Sequence, residues 1–145
     1  GSLPRGTALR RDGARPGDTV YVSGPLGGNA SRNYRDIPRP RIDLGKRLRG
    51  SATACMDLSD GLSIDLYRLC LSSSTAALLD SLPVATGANE HQALHGGEDY
   101  ELLYTGPANL PGFRIGTITD GPTGGITLRG FPLTPELGYD HFSTR

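Results

Sequence analysis

Apolar and polar positions along this chain follow two periods. Thr19-Val20-Tyr21-Val22-Ser23-Gly24 is a β-branched and aromatic run closed by Gly-Pro, which predicts a strand. Tyr100 to Thr105 predicts another, and Phe113 to Ile118 alternates large and small side chains as a third. Asp120 to Gly125 then reads as a turn, with Ile126 to Arg129 returning as the second strand of a hairpin. Thr75 to Asp80 reads as a strand, although its alanines and leucines leave a short helix open. The period changes at Leu62: Leu62, Ile64, Leu66, Leu69 and Cys70 have the mixed three- and four-residue spacing of an amphipathic helix, which breaks at Ser72-Ser73-Ser74. Ser51 to Met56, before it, is small and apolar like a buried strand end. Ile42 to Arg49 predicts a short helix closed by Gly50, and Glu90 to Leu94 a helical turn. Ser31 to Pro40 is polar, and Pro38-Arg39-Pro40-Arg41 is extended because a residue before proline is pushed out of the helical region. Leu82 to Asn89 reads as loop. This order predicts an α/β (α+β) domain with helices layered on a sheet, and no repeat at solenoid period is present.

Composition narrows the class. The 145 residues are one domain's worth, so residues 1–145 are expected to form a single unit. Fifteen basic and fifteen acidic residues cancel, so no global field recruits nucleic acid or an anionic membrane. No apolar run approaches the length of a bilayer span, and no signal-peptide pattern is read. Cys55 and Cys70 form neither a disulfide framework nor a zinc pattern; they read as small core hydrophobes of a cytoplasmic protein. The 21 glycines and 11 prolines imply many turns joining short elements. Gly1-Ser2 looks like an expression scar, and the expectation is a piece of a longer polypeptide.

Two stretches carry candidate chemistry. In Cys55-Met56-Asp57-Leu58-Ser59-Asp60-Gly61-Leu62, two carboxylates flank a hydroxyl at a strand-to-helix junction. One reading is capping, with Ser59 or Asp60 as N-cap and an acid in the first turn favoured by the helix dipole. The other is ligation of Mg²⁺, which takes one or two protein carboxylates and completes its octahedron with water and substrate phosphates. In His95-Gly96-Gly97-Glu98-Asp99-Tyr100-Glu101, a double glycine leads into three acids and a strand. The acids are either a solvated turn or, with glycines permitting close backbone approach, part of a site. Pro25-Leu26-Gly27-Gly28-Asn29-Ala30 resembles a phosphate-cradling turn but lacks the spacing of either standard glycine-rich fingerprint. Arg10 and Arg11, beside the Asp12-Gly13 turn, either face an anion or are solvated. Gly138-Tyr139-Asp140-His141-Phe142 either anchors the tail or lines a pocket.

Taken together and in order, Gly-Ala-Arg-Pro-Gly-Asp (13–18), Val20 to Gly27, Pro-Arg-Pro-Arg (38–41), Met-Asp-Leu-Ser-Asp-Gly-Leu (56–62), Gly-Gly-Glu-Asp-Tyr-Glu-Leu (96–102) and Gly-Tyr-Asp-His-Phe (138–142) resemble the C-terminal half of the thiamine-monophosphate kinase family. That family shares a superfamily with aminoimidazole ribonucleotide synthetase, selenophosphate synthetase and a hydrogenase-maturation protein. The resemblance implies a domain like the C-terminal domain of aminoimidazole ribonucleotide synthetase, with helices on a mixed sheet. It implies that Asp57 and Asp60 hold Mg²⁺, that Ser59 and Arg11 contact ATP phosphates, and that Glu98 and Tyr139 meet the thiamine moiety. The implied reaction is phosphoryl transfer from ATP to thiamine monophosphate, giving thiamine diphosphate. It needs a partner ATP-binding N-terminal domain and a homodimer, so this chain alone is expected to be inactive. The alternatives are a related ATP-dependent enzyme of the aminoimidazole ribonucleotide or selenophosphate synthetase type, and a degenerate domain that binds a nucleotide or thiamine phosphate without catalysis. The chain departs from the family pattern after Gly27 and between Pro83 and Gly96, where it is shorter.

Overall fold

A computed structural model describes residues 10, 12–32, 42–97, 99 and 101–135. In chain order the elements are β1 (Thr19–Val22), α1 (Gly28–Ser31), α2 (Ile42–Leu48), β2 (Ala54–Asp57), α3 (Leu62–Ser73), β3 (Ala76–Leu79), α4 (Glu90–His95), β4 (Leu102–Gly106), β5 (Phe113–Thr119), β6 (Ile126–Leu128) and β7 (Phe131–Pro132). The strands form one mixed sheet in the order β2-β4-β1-β5-β3-β6-β7. All neighbours are antiparallel except β3 and β6. β1 lies between β4 and β5, which is why all four of its residues are buried.

The period of two sorts side chains onto two faces. Val20, Val22, Leu103 and Ala54 enter the larger core, where Leu62, Leu66, Leu69 and Cys70 of α3 and Ala93 and Leu94 of α4 cover them. Tyr21, Leu102 and Tyr104 point to the other face and pack against Leu44 and Leu48 of α2. The Tyr21 and Tyr104 rings, directly opposite across β1 and β4, stack at 5.3 Å between centroids. Their hydroxyls donate to the carbonyls of Pro107 and Pro111, which ties the β4–β5 loop to this face. The result is three layers, with helices on both sides of the sheet. Cys55 belongs to the α2 side and Cys70 to the α3 side, so the sheet separates them and both are free thiols. Burial raises them to about 12 and about 11 respectively, with the charge of Asp57 adding to the effect at Cys55.

Most expected elements lie where the apolar pattern put them, and Thr75 to Asp80 resolves as strand β3 rather than helix. The hairpin at the end of the chain is a correction. β6 does not return along β5; it crosses the end of β3 and pairs with it in parallel on the far side. The crossing is made by the Asp120–Gly125 turn, where the Gly124 N–H donates to Thr75 O and the Ala77 N–H donates to Gly125 O. β3 therefore stands between the two strands that the sequence suggested would pair. The true hairpin is β6–β7, joined through Arg129 and Gly130 at φ 51° and 86°. Positive φ at both central residues is the requirement of a type I′ turn, and Arg-Gly meets it without the usual Asn-Gly signal.

Candidate metal and phosphate site

β2 ends at Asp57, and the chain must turn through Leu58 to Gly61 before α3 can start. Of the capping expectation, the acid in the first turn is present as Asp65, but the N-cap assignment fails. Gly61 is the N-cap residue and has no side chain to cap with; neither Ser59 nor Asp60 takes that role. The loop is instead held from inside the helix. Asp65, completely buried in the first turn of α3, accepts N–H donors from Ser59 (2.9 Å), Asp60 (3.0 Å) and Gly61 (3.3 Å) on one carboxylate oxygen. Its other oxygen accepts from the Arg68 guanidinium at 3.1 Å. Burial pushes the Asp65 carboxyl above the ordinary carboxylate value and the charge of Asp60 pushes the same way; the two backbone donors and Arg68 oppose them.

With its N–H groups turned inward onto Asp65, the loop presents side chains outward. Asp57 is exposed, and Ser59 and Asp60 are half-buried. The same Arg68 nitrogen that contacts Asp65 also donates to Asp60.

The second acidic motif closes on this loop. β2 and β4 pair with Asp57 opposite Leu102, and the Leu58 N–H donates to Glu101 O at 2.8 Å. Gly97 sits at φ 72° with its α-carbon against the loop: a Cβ there would lie 3.1 Å from the carbonyl oxygens of Ser59 and Asp60. Gly61 meets the backbone of His95 equally closely. Below this contact, Ser63 Oγ and His95 Nδ1 are 2.7 Å apart and buried. Gly97 therefore serves close packing of two backbones, while Gly96 is packed against the Gln92 carbonyl of its own helix and the Ala30 side chain, reasons the sequence left open.

Asp99 reaches a third segment. It accepts the Gly27 N–H at 2.7 Å and the Asn29 N–H at 3.2 Å, so the turn that resembled a phosphate cradle encloses a carboxylate of this chain. Burial raises the Asp99 carboxyl above its ordinary value against those two donors, with Glu101 adding to the rise and Arg32 opposing it. Glu101 accepts from Ser23 Oγ at 2.9 Å, and Ser23 Oγ in turn accepts the Leu102 N–H. Three loops, 23–29, 58–61 and 95–101, are thus linked at one end of β1, β2 and β4.

Of the expected site residues, Asp57 at the end of β2 and Ser59 and Asp60 in the loop that follows stand at one solvent-facing corner; Arg11, Glu98 and Tyr139 lie outside the described residues. Asp65 and Arg68 are organising residues that the sequence did not single out; Asp99 is one of the three acids after the double glycine, and its role is to hold the 27–29 turn. The usable signal for Asp65 was an acid in the first helical turn just after a loop of small polar residues, close enough to reach back to free N–H groups. As ligands, Asp57 and Asp60 match what Mg²⁺ takes from a protein when phosphates and water supply the rest. Among the described residues no group of three or more His, Cys, Asp or Glu is placed to hold a metal.

No family model matches the chain. The fold is of the aminoimidazole ribonucleotide synthetase-like type. It superposes on Escherichia coli HypE, a hydrogenase maturation protein, with TM-score 0.74 at 17% identity, covering 99% of this chain and 56% of that one. Within that class the thiamine-monophosphate kinases stand nearer in sequence. The structure from Stenotrophomonas maltophilia gives TM-score 0.79 at 33% identity over 90% of this chain and 56% of its own. AaThiL complexed with AMPPCP and TMP gives 0.77 at 30%, over 92% and 54%. Thiamine-monophosphate kinase of Salmonella typhimurium is 35% identical across 99% of this chain. The chain is a homologue of the thiamine-monophosphate kinases along nearly all of its own length, and it spans little more than half of theirs. That Salmonella alignment runs over 189 positions against a chain of 145 residues, so the relative carries intervening residues that this chain lacks.

Proposed function

We propose that this chain is the substrate-side C-terminal domain of a thiamine-monophosphate kinase-like enzyme, working with an ATP-binding half that precedes it in a longer, dimeric polypeptide. The observation that carries the reading is the joining of the two acidic motifs: the corner bearing Asp57, Ser59 and Asp60 is hydrogen-bonded and packed, backbone to backbone, onto the 95–101 segment. Transfer of a phosphoryl group demands positioning and charge neutralisation more than covalent help. Asp57 and Asp60 are the carboxylates that would hold Mg²⁺, and their solvent-facing placement at a fixed corner suits them to it. Magnesium bound there would offset the negative charge of the phosphates of ATP and thiamine monophosphate. The Ser59 hydroxyl, in the same loop, would donate to a phosphate oxygen, and Arg11 would add a cationic contact on the family resemblance. Glu98 and Tyr139 are assigned to the thiamine moiety on the family resemblance. The buried Asp65 keeps the loop in one geometry, so that the ligands need no ordering when the phosphates arrive.

A second reading, a domain that binds a thiamine phosphate or nucleotide without catalysis, is favoured by one observation, the intervening residues present in the Salmonella relative and missing here. The identities of 33% to the kinase structure and 17% to HypE weigh against an enzyme of another branch of the superfamily. Calorimetric titration of the longer polypeptide with thiamine monophosphate, in the presence of Mg-AMPPCP, tests the shared part of both readings. Saturable binding that weakens at least tenfold in Asp57→Asn is expected; binding of neither ligand by the folded protein would overturn the assignment.

A further inference from the structure

Arg68 has a place in this site that the proposed ligand roles leave unexplained. Its guanidinium bridges a completely buried carboxylate, Asp65, and a half-exposed one, Asp60, through a single nitrogen. The two acids are not equivalent partners. Asp65 is fixed, because its other oxygen is committed to three backbone donors. Asp60 is tethered by its side chain to Arg68, with almost half of that side chain open to solvent. The carboxylate proposed as a metal ligand is therefore already neutralised by a cation belonging to the chain. Arg68 can keep its contact with Asp65, one helical turn back, when the contact to Asp60 is given up. An arginine cannot lose its proton under these conditions, so it leaves Asp60 only by moving.

We propose that Arg68 is a positioning residue that acts as a resident counter-ion: it holds Asp60 in place while no divalent cation is bound, and yields Asp60 to Mg²⁺ while keeping its contact with Asp65. This deepens the metal assignment of the preceding section and rests on it. Two consequences follow from charge alone. Without Arg68, a divalent cation no longer competes for Asp60 and meets a site one positive charge lower, so it binds more tightly. Without Arg68 and without metal, Asp60 and Asp65 face each other uncompensated, so the loop is less stable.

The test is titration of this chain with Mn²⁺, followed by the loss of free-ion signal in electron paramagnetic resonance, for the wild type and for Arg68→Gln, Arg68→Lys and Asp60→Asn. The expected result is weaker binding in Asp60→Asn, binding about two- to five-fold tighter in Arg68→Gln, the worth of one exposed ion pair, and near-wild-type binding in Arg68→Lys. A merely structural arginine would weaken binding on removal by loosening the loop. Unchanged or weaker affinity in Arg68→Gln, with Asp60→Asn still impaired, would overturn the counter-ion role and leave the metal site standing. Equal affinity in wild type and Asp60→Asn, or no binding by any variant, would overturn both. A double-mutant cycle on thermal unfolding adds a readout that needs no catalysis. The Arg68–Asp60 coupling is expected to be favourable in chelator and to vanish with saturating Mn²⁺; a coupling that the metal leaves unchanged contradicts the proposal.

Discussion

At the scale of single residues, Asp65 decides the shape of the site without touching a substrate. Its carboxylate satisfies three N–H groups that the turn into α3 would otherwise leave unpaired. Asparagine keeps one acceptor for those three donors but turns its amide N–H₂ toward the Arg68 guanidinium in place of the second carboxylate oxygen, so Asp65→Asn is expected to destabilise the fold by about 1–3 kcal/mol, the usual cost of a buried donor left without an acceptor. The penalty has a direction in pH. The folded carboxyl lies above its unfolded value of 3.8, so the native state keeps this proton to higher pH than the unfolded chain does. Its contribution is then complete below 3.8 and is lost as pH rises through the folded value. Denaturant melts at a series of pH values should show the gap between wild type and Asp65→Asn narrowing as pH rises; a widening gap would mean that the anion is the favoured native form. None of this was legible in the spacing of Asp57 and Asp60, because a carboxylate that reaches back to a loop has the same sequence signature as one that merely favours the helix dipole.

At the scale of elements, the pattern of apolar residues located the strands and the main helix, and it failed where pairing is decided by a neighbour distant in sequence. β5 and β6 are joined by a turn rich in glycine, yet β3 occupies the place between them, since its backbone finds partners on both edges. Nothing local to 113–129 encodes that. The short α1 makes the same point from the other side. Four residues cannot sustain a helix alone, because nucleation is unfavourable. The N-terminal end of α1 is held by the Asp99 carboxylate through Gly27 and Asn29, and that contact ties it to the 95–101 segment. Asp99→Ala should therefore release α1 while leaving the sheet intact. Hydrogen exchange is expected to accelerate at the amides of Gly27 and Asn29, with those of Val20, Val22 and Leu103 unchanged. Equal protection at Gly27 in the variant would show that packing against α4, not Asp99, holds the element.

At the scale of the whole molecule, the three-layer arrangement gathers at one end of β1, β2 and β4 the loops that a linear reading could only note as separate oddities. Asp57, Ser59 and Asp60 became candidates through the order of motifs that fits one family, because their spacing alone reads equally as helix capping. The use of Gly96-Gly97 was not legible, since a double glycine announces freedom of backbone and not the surface it will press against. Among the described residues no helix is long and apolar enough to cross a membrane. The proposed function puts Asp57 in a metal–phosphate site for transfer from ATP to thiamine monophosphate. The most direct measurement is ADP formation by the longer polypeptide with Mg-ATP and thiamine monophosphate, beside the Asp57→Asn variant. Turnover dependent on thiamine monophosphate that falls by a factor of about 10² or more in the variant, the scale of losing one charge-stabilising group, is expected. Absence of turnover from a folded, ATP-binding protein, or a fully active Asp57→Asn variant, would contradict it.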